Sequence, residues 1–175
     1  MPYQSVSIKT GIAFQETLID FALRVYDRPG IKSTCLRLQD ESGANVNIVL
    51  WCCWLRNQNV SLSVQWLDDV LISVDTLSQL TVDRMREVRR VINESAGFTR
   101  VQAKLINKHI LNAELTVEKI FLQRMQDLTL RFVEAEGDAL ESGMPPERLS
   151  LLYYLDFLKI PKPQAQSSSL LALCV

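Results

Sequence analysis

Apolar residues recur along most of this chain at the three- and four-residue spacing of an α-helix. Each run places its apolar side chains on one face, which predicts amphipathic helices packed around a shared core. The predicted stripes are Phe14, Leu18, Phe21, Ala22 and Val25; Ile31, Cys35 and Leu38; Val64, Leu67, Leu71 and Val74; Val82, Met85, Val88 and Ile92; Phe121, Met125, Leu128 and Phe132; and Leu151, Leu152, Leu155 and Leu158. Strand signals are weak, because the only alternating run, at residues 60–64, is short and isolated. The pattern predicts an all-α protein.

Turn and capping residues separate these stripes. Asp27 is placed to cap the second helix, with Pro29 in its first turn, and Gly43 is predicted to end that helix. Ser63 and Thr81 are placed to cap the fourth and fifth helices.

The most apolar run, residues 46–55, reads VNIVLWCCWL. It is about half as long as the ~20 residues of a membrane span, and Asn47 lies near its start. A helix that is apolar on nearly all sides needs neighbours on all sides, so we expect it to be central, with Leu50, Trp54 and Leu55 buried. The predicted architecture is a single-domain bundle of about seven helices around this central helix.

The second half of the chain is less well determined by its pattern. After Gly97, residues 99–136 are predicted as either one helix or two helices broken near Thr116. Residues 137–146 are predicted as a loop, and Pro161 and Pro163 are expected to end the last helix. We therefore expect a single helical domain over residues 1–160 and a tail over residues 161–175 that is flexible or docked.

Composition and charge narrow the classes of function. The chain has 175 residues, of which 47% are hydrophobic, and this suits a globular protein with its own core. The formal net charge of −1 argues against a protein whose main role is to coat phosphate backbones. No targeting segment and no membrane span is visible in the sequence, so the expected location is the cytoplasm of a bacterial cell, with no membrane partner.

Metal and cofactor chemistry has little support in the sequence. The four cysteines, Cys35, Cys52, Cys53 and Cys174, form no CxxC spacing, and His109 is the sole histidine. The cysteines are interpreted as small apolar residues in a reducing compartment. Phosphate-binding, dinucleotide-binding and nucleophile motifs are absent from the sequence. We expect no metal and no cofactor, and an enzyme is the less favoured class.

The first group of candidate site residues is Asp40, Asn45 and Asn47, with Trp51. Short polar side chains at a turn between helices usually cap backbone groups, and this is the favoured interpretation. The alternative is that they line a small pocket together with Trp51. Trp51 itself is favoured as a core aromatic.

The second group pairs Arg86 and Arg89 with Glu114 and Glu118. The arginines are three residues apart and the glutamates four, so each pair shares one helix face. We predict that the two helices are adjacent and that the charges form salt bridges, which would fix the helix register. The alternative is an anion site built by the arginines.

An arginine-rich surface extends this alternative. Arg84, Arg90 and Arg100 lie near the paired arginines in the sequence and would enlarge a basic face. The ligand of such a face would be phosphate or nucleic acid.

One segment resembles a known family of proteobacterial proteins of unknown function. The motif residues that carry the resemblance are Pro29-Gly30, Cys35-Leu36-Arg37-Leu38-Gln39-Asp40, Val46-Asn47 and Trp54-Leu55. Two further stretches resemble the family's Arg-x-x-Arg and Ala-Glu-Leu-x-x-Glu helices; they are Arg86-Glu87-Val88-Arg89-Arg90 and Ala113-Glu114-Leu115 with Glu118.

The chain departs from this family at two positions. Asn45 stands where an acidic residue is expected, and Arg84 stands where proline is expected. The first departure weakens any site that needs a second carboxylate beside Asp40. The resemblance implies an all-helical protein and implies no substrate, cofactor or catalytic residue.

The favoured functional hypothesis is a non-enzymatic cytoplasmic binding or accessory protein that acts on a protein partner, or on a second copy of itself, through a helical surface. The second hypothesis is a small-ligand or anion pocket near Asp40, Asn47 and Arg86, with or without an enzymatic activity. The third is weak nucleic-acid binding through the arginine-rich face.

Overall fold

A computed structural model describes residues 14–136 and 149–174. These residues form eight helices, which corrects the expectation of about seven, and none of them lies in a strand. The helices are α1 (Leu18–Tyr26), α2 (Ile31–Ser42), α3 (Val46–Asn57), α4 (Val64–Leu80), α5 (Val82–Glu94), α6 (Arg100–Glu136), α7 (Leu149–Phe157) and α8 (Pro163–Cys174). The predicted all-α class is confirmed for this part of the chain. The loop predicted at residues 137–146 and the first thirteen residues lie outside it.

Helix α3 is the centre of the protein. Every side chain from Asn47 to Leu55 is buried, and α3 contacts α1, α2, α6, α7 and α8. Leu50, Trp54 and Leu55 are buried as predicted. Because α3 is apolar on all sides, each of its faces is covered by a neighbouring helix.

Helix α2 begins later than predicted. Asp27 is the C-cap of α1, and Gly30, at φ 88°, is the N-cap of α2 without a side-chain hydrogen bond. Only glycine adopts this left-handed conformation at little cost, so the turn depends on Gly30 rather than on an aspartate cap. Gly43, at φ 68°, ends α2 as predicted.

Helices α4 and α5 meet at a single residue, Thr81. Its hydroxyl donates to the Leu77 carbonyl and does not cap α5, and Ser63 likewise precedes α4 without a side-chain cap. The stripe predicted for α5 is only partly buried: Val82 and Ile92 are buried, whereas Val88 is 48% exposed. One face of α5 therefore remains open to solvent.

Residues 100–136 form one uninterrupted helix, α6, which decides between the two alternatives for this region. Thr116, the suggested break point, donates its hydroxyl to the Asn112 carbonyl within the helix. This local bond satisfies the hydroxyl without breaking the backbone pattern.

The residues expected as a tail form helix α8. Pro163 is its first residue, a position where the missing N–H costs nothing. Leu170 and Cys174 are buried, and α8 contacts α2, α3 and α7. The two prolines separate two helices rather than a helix and a linker.

Candidate functional site

The turn between α2 and α3 positions the first group of predicted site residues. The Asn45 side-chain oxygen accepts a hydrogen bond from the Asn47 backbone N–H at 3.1 Å, so Asn45 caps α3. The Asn45 backbone N–H donates to the buried Tyr154 hydroxyl at 2.8 Å, which connects this turn to α7. Asn47 is buried and Asp40 is exposed.

Trp51 belongs to the core rather than to this turn. Its ring is completely buried, and its indole N–H donates to the Thr129 hydroxyl of α6 at 3.0 Å. That hydroxyl donates in turn to the Met125 carbonyl at 2.8 Å. The polar atom of a large core side chain is thereby satisfied without water.

Helices α5 and α6 bring the second group together. Arg89 donates to both carboxylate oxygens of Glu114, at 2.6 and 3.0 Å, and Arg86 donates to Glu118 at 2.7 Å. The lower-numbered arginine meets the higher-numbered glutamate, so the two helices run antiparallel. The predicted salt bridges are confirmed.

Burial differs between the two bridges. The Glu114 side chain is 3% exposed, whereas Arg86 and Glu118 are 32% and 21% exposed. Burial raises the pKa of Glu118 above its ordinary value, and the attraction of Arg86 offsets only part of this effect. The Arg89–Glu114 pair therefore holds a buried carboxylate between α5 and α6. The Arg86–Glu118 pair lies where both side chains are partly exposed to solvent.

An apolar groove opens beside these bridges. It has a volume of about 450 Å³ and lies between α1 and α2 on one side and α6 on the other. Four leucines on its walls are partly exposed: Leu23 by 58%, Leu36 by 37%, Leu111 by 40% and Leu115 by 46%. Its lining also includes Asn47, Arg86, Arg89, Glu114 and Glu118.

A polar pocket of about 360 Å³ adjoins the apolar groove. Gln39 and Arg86 line both cavities. The other polar side chains of the pocket are Asp40, Asn45, Asp75, Ser78, Gln79, Asp83, Glu87 and Arg90. Asp75 is half-buried, and this burial raises the pKa of its carboxyl, which Gln79 offsets in part by donating a hydrogen bond at 3.1 Å.

The structure thus brings seven of the eight predicted site residues to two adjoining cavities. Asp40 and Asn45 line the polar pocket, Arg86 lines both cavities, and the remaining four line the apolar groove. Trp51 lines neither cavity. The first predicted group is therefore divided, because Asn47 lines a different cavity from Asp40 and Asn45.

The sequence pattern did not identify the four groove leucines as candidate site residues. Leu23 and Leu36 fall between the apolar positions that form the buried stripes of α1 and α2. Leu111 and Leu115 lie four apart on α6, beside the paired glutamates. Leucines that lie off the core stripe of a helix were the available signal, because such residues are candidates for a second contact surface.

The cavities contain charged groups that are already paired. Arg90 donates to Glu87 at 2.5 Å, and Arg86 also approaches Asp83 at 3.4 Å. No cluster of three or more histidine, cysteine or acidic side chains with metal-site geometry occurs within residues 14–136 and 149–174. These cavities are suited to binding through apolar contact and fixed charges.

The chain belongs to the family described as "Protein of unknown function (DUF2390)", whose model matches residues 17–125. The matched range contains every residue that lines the apolar groove and the polar pocket. No curated protein and no solved structure matches the sequence significantly. The expectation of a family of unknown function is confirmed, and the family supplies no activity.

Proposed function

We propose that this protein is a non-enzymatic binding module that receives an amphipathic helix of a partner protein in the apolar groove. The observation that carries the proposal is the set of four partly exposed leucines, on three helices, around one cavity of about 450 Å³. Water-exposed leucines concentrated in one concave place favour an interaction site over scattered surface residues. An amphipathic helix that inserts its apolar face matches such a groove.

The exposure of the leucines favours a helix over a small molecule. Ligand pockets bury about 70–90% of a drug-sized ligand. The Leu23 and Leu115 side chains remain about half exposed on the two walls, so a small molecule between them would keep much of its surface wet. A helix lying across the groove would cover both walls at once.

The charge of the polar pocket indicates which helix fits. Its lining carries four acidic side chains, Asp40, Asp75, Asp83 and Glu87, against the two arginines Arg86 and Arg90. The surplus of two negative charges, four minus two, favours a partner helix that bears lysine or arginine next to its apolar face. Arg86, which pairs with Glu118, lines both cavities and so marks where the apolar groove meets the acidic pocket.

Nucleic-acid binding through the arginine-rich face has weaker support. Arg86, Arg89 and Arg90 are each engaged by a carboxylate. Arginines that are neutralised in this way release few counterions from a phosphate backbone, which removes most of the driving force for binding.

The location is part of the same proposal. We place the protein in the cytoplasm of a bacterial cell. The described residues include no helix with both the length and the apolar character of a membrane span. The four cysteines are free and buried, which suits a reducing compartment.

The test is photo-crosslinking from the groove. A benzoyl-phenylalanine at position 115 is expected to capture a protein in cells, whereas the same group at position 105 of α6, outside the groove, is not. Leu105 is a matched control because it is also an exposed leucine of this helix, at 58%.

A synthetic peptide of the captured segment then separates the outcomes. It is expected to bind the wild type and Leu105→Glu alike, and to bind Leu115→Glu at least tenfold more weakly. Equal binding by both variants would overturn the proposal. Capture of a second copy of this chain, or a small molecule retained in native mass spectrometry, would also overturn it in favour of that occupant.

A further inference from the structure

The face of α6 that lines the apolar groove continues beyond the end of the groove. Leu111, Leu115 and Leu122 line the groove from this helix, which contributes no groove residue before Leu111. Lys104 and Lys108 precede Leu111 by seven and three residues. Positions at such spacings share one helix face. The two lysines therefore lie in line with the groove leucines, about two turns and one turn before the first of them.

Both lysines are exposed and unpaired. Neither makes a hydrogen bond or a salt bridge within the part of the chain that the structure describes. Arg86, Arg89 and Arg90 differ from them, because each of these arginines is held by a carboxylate. A cation without an internal partner is available to an external anion.

The stretch around the lysines is positive. Residues 95–113 contain Arg100, Lys104 and Lys108 and no aspartate or glutamate, although the whole chain has a formal net charge of −1. No side chain of residues 100–113 is buried, so these charges lie on an open surface. Such a surface attracts an acidic partner and speeds its approach.

The acidic polar pocket meets the groove at a different level of α6. Arg86 lines both cavities and donates to Glu118 at 2.7 Å. Glu118 follows Lys108 by ten residues and Lys104 by fourteen, which corresponds to about 15 and 21 Å along the helix. The positive surface and the acidic pocket are therefore separated along α6, with two of the groove leucines between them.

We propose that the partner helix carries acidic residues at one end and basic residues at the other, and that its acidic end lies on Lys104 and Lys108. Its apolar residues fill the groove, and its lysines or arginines reach the polar pocket. The charged ends are about 10–14 residues apart, because two helices that lie side by side have the same rise per residue. This inference rests on the proposed function, since it concerns the same groove and the same partner helix.

The position of the lysines favours a protein helix over a phosphate backbone. Lys104 and Lys108 lie on the same stripe as the leucines, so a partner that covers the stripe has apolar groups beside its negative charges. A phosphate backbone is negative along its whole length, and the acidic pocket would repel it.

The first test is photo-crosslinking in cells from α6. Benzoyl-phenylalanine at position 108 is expected to capture the same partner as at position 115, through a segment of the partner that is rich in aspartate and glutamate. Mapping of the two adducts is expected to place the crosslinked sites about seven residues apart in the partner. The control is position 109, which is exposed and lies about 100° around the helix from position 108, and which is not expected to capture the partner.

The two crosslinking positions distinguish this inference from the proposed function. Capture at position 115 alone would overturn the acidic end and leave helix binding in the groove intact. Capture at position 108 through a segment without acidic residues would have the same meaning. Capture at neither position would overturn both proposals. An adduct at position 108 that nuclease degrades would overturn the acidic helix in favour of a nucleic acid.

Binding of a synthetic peptide of the captured segment tests the charges directly. The double variant Lys104→Gln with Lys108→Gln is expected to bind about three- to tenfold more weakly at low salt, and screening at high salt is expected to reduce this difference. The double variant Lys159→Gln with Lys162→Gln is the matched control, because it removes two exposed lysines outside the groove.

A second peptide, in which the acidic residues are changed to amides, completes the comparison. It is expected to bind the wild type and the variant of Lys104 and Lys108 alike. Equal weakening by the two double variants would show a general attraction of charge and would overturn the inference. Unchanged binding by the variant of Lys104 and Lys108 would also overturn it.

Discussion

Arg89 and Glu114 form a two-pronged salt bridge, with nitrogen–oxygen distances of 2.6 and 3.0 Å, in which the carboxylate is 3% exposed and the guanidinium side chain 31% exposed. The bridge joins α5 to α6 at a point where the fold leaves the glutamate almost no water. A buried carboxylate is tolerated only with such a partner.

Replacing Arg89 with methionine is expected to destabilise the protein strongly. The change leaves the buried Glu114 carboxylate unpaired. Because Arg89 itself is 31% exposed, we expect a loss of about 2–4 kcal/mol, below the ~3–5 kcal/mol of a fully buried pair. Urea titration measures it.

The control for that titration is Arg90→Met, which breaks the solvent-exposed bridge to Glu87 on the same helix. It is expected to leave the midpoint nearly unchanged. Equal losses in the two variants would show that the Arg89 bridge has no special structural role.

Leu50 lies in the middle of the central helix and is 4% exposed. Its replacement by alanine leaves a cavity that the surrounding helices cannot close completely, and we expect a loss of about 2–5 kcal/mol. Ile72→Ala is the comparison, because Ile72 is 65% exposed on α4. A loss below about 1 kcal/mol for Leu50→Ala would contradict the central position of α3.

Thr129→Val removes the acceptor of the Trp51 indole N–H while it nearly preserves the side-chain shape. The buried donor then has no partner, so the expected cost is about 1–3 kcal/mol. Thr116→Val, at an exposed position of the same helix, controls for the change in helix propensity. Equal stability of the two variants would mean that the indole finds another acceptor.

Asp75→Asn tests the raised pKa in the polar pocket. Burial disfavours the ionised carboxylate, so the folded state holds the proton more tightly than the unfolded state. The stability that this proton contributes is complete below the ordinary carboxyl pKa and is lost as the pH rises through the raised pKa. The Asp75→Asn variant is therefore expected to be more stable than the wild type at neutral pH and to lose this advantage in acid.

Thermal unfolding of the wild type and Asp75→Asn across an acid-to-neutral pH series measures the difference. Asp69→Asn is the control, since Asp69 is an exposed carboxylate of the same helix. A stability difference that does not change with pH would show that the burial of Asp75 is not coupled to its ionisation.

Two features were predictable because they depend on pattern alone. Residues 46–55 are apolar on every helical face, and only a central position satisfies such a segment. Arg86 and Arg89, like Glu114 and Glu118, occupy matched positions on their helices, and opposite charges inside amphipathic stripes have few other partners. The matched spacing of these charges and their lack of other partners together predict the Arg–Glu bridges.

The rest depends on contacts that local sequence does not encode. The aspartate cap predicted at Asp27 does not form, because Asp27 ends α1 and α2 starts after Gly30, whose positive φ no local pattern of the sequence announced. Helix α8 has a weak apolar stripe, so its contacts with α2, α3 and α7 do not follow from its own sequence. The exposure of Leu23 and Leu36 likewise depends on how far α6 stands from α1 and α2.

Helix α6 is about 55 Å long at ~1.5 Å per residue, and its two ends have different roles. Residues 100–113 contain no buried side chain, whereas seven side chains from Glu114 onward are buried. Amide hydrogens in the first third should therefore exchange with solvent much faster than those near Met125, within one continuous helix. The Arg89–Glu114 bridge lies at the boundary of these two stretches, so it is expected to mark the point where fast exchange gives way to slow exchange.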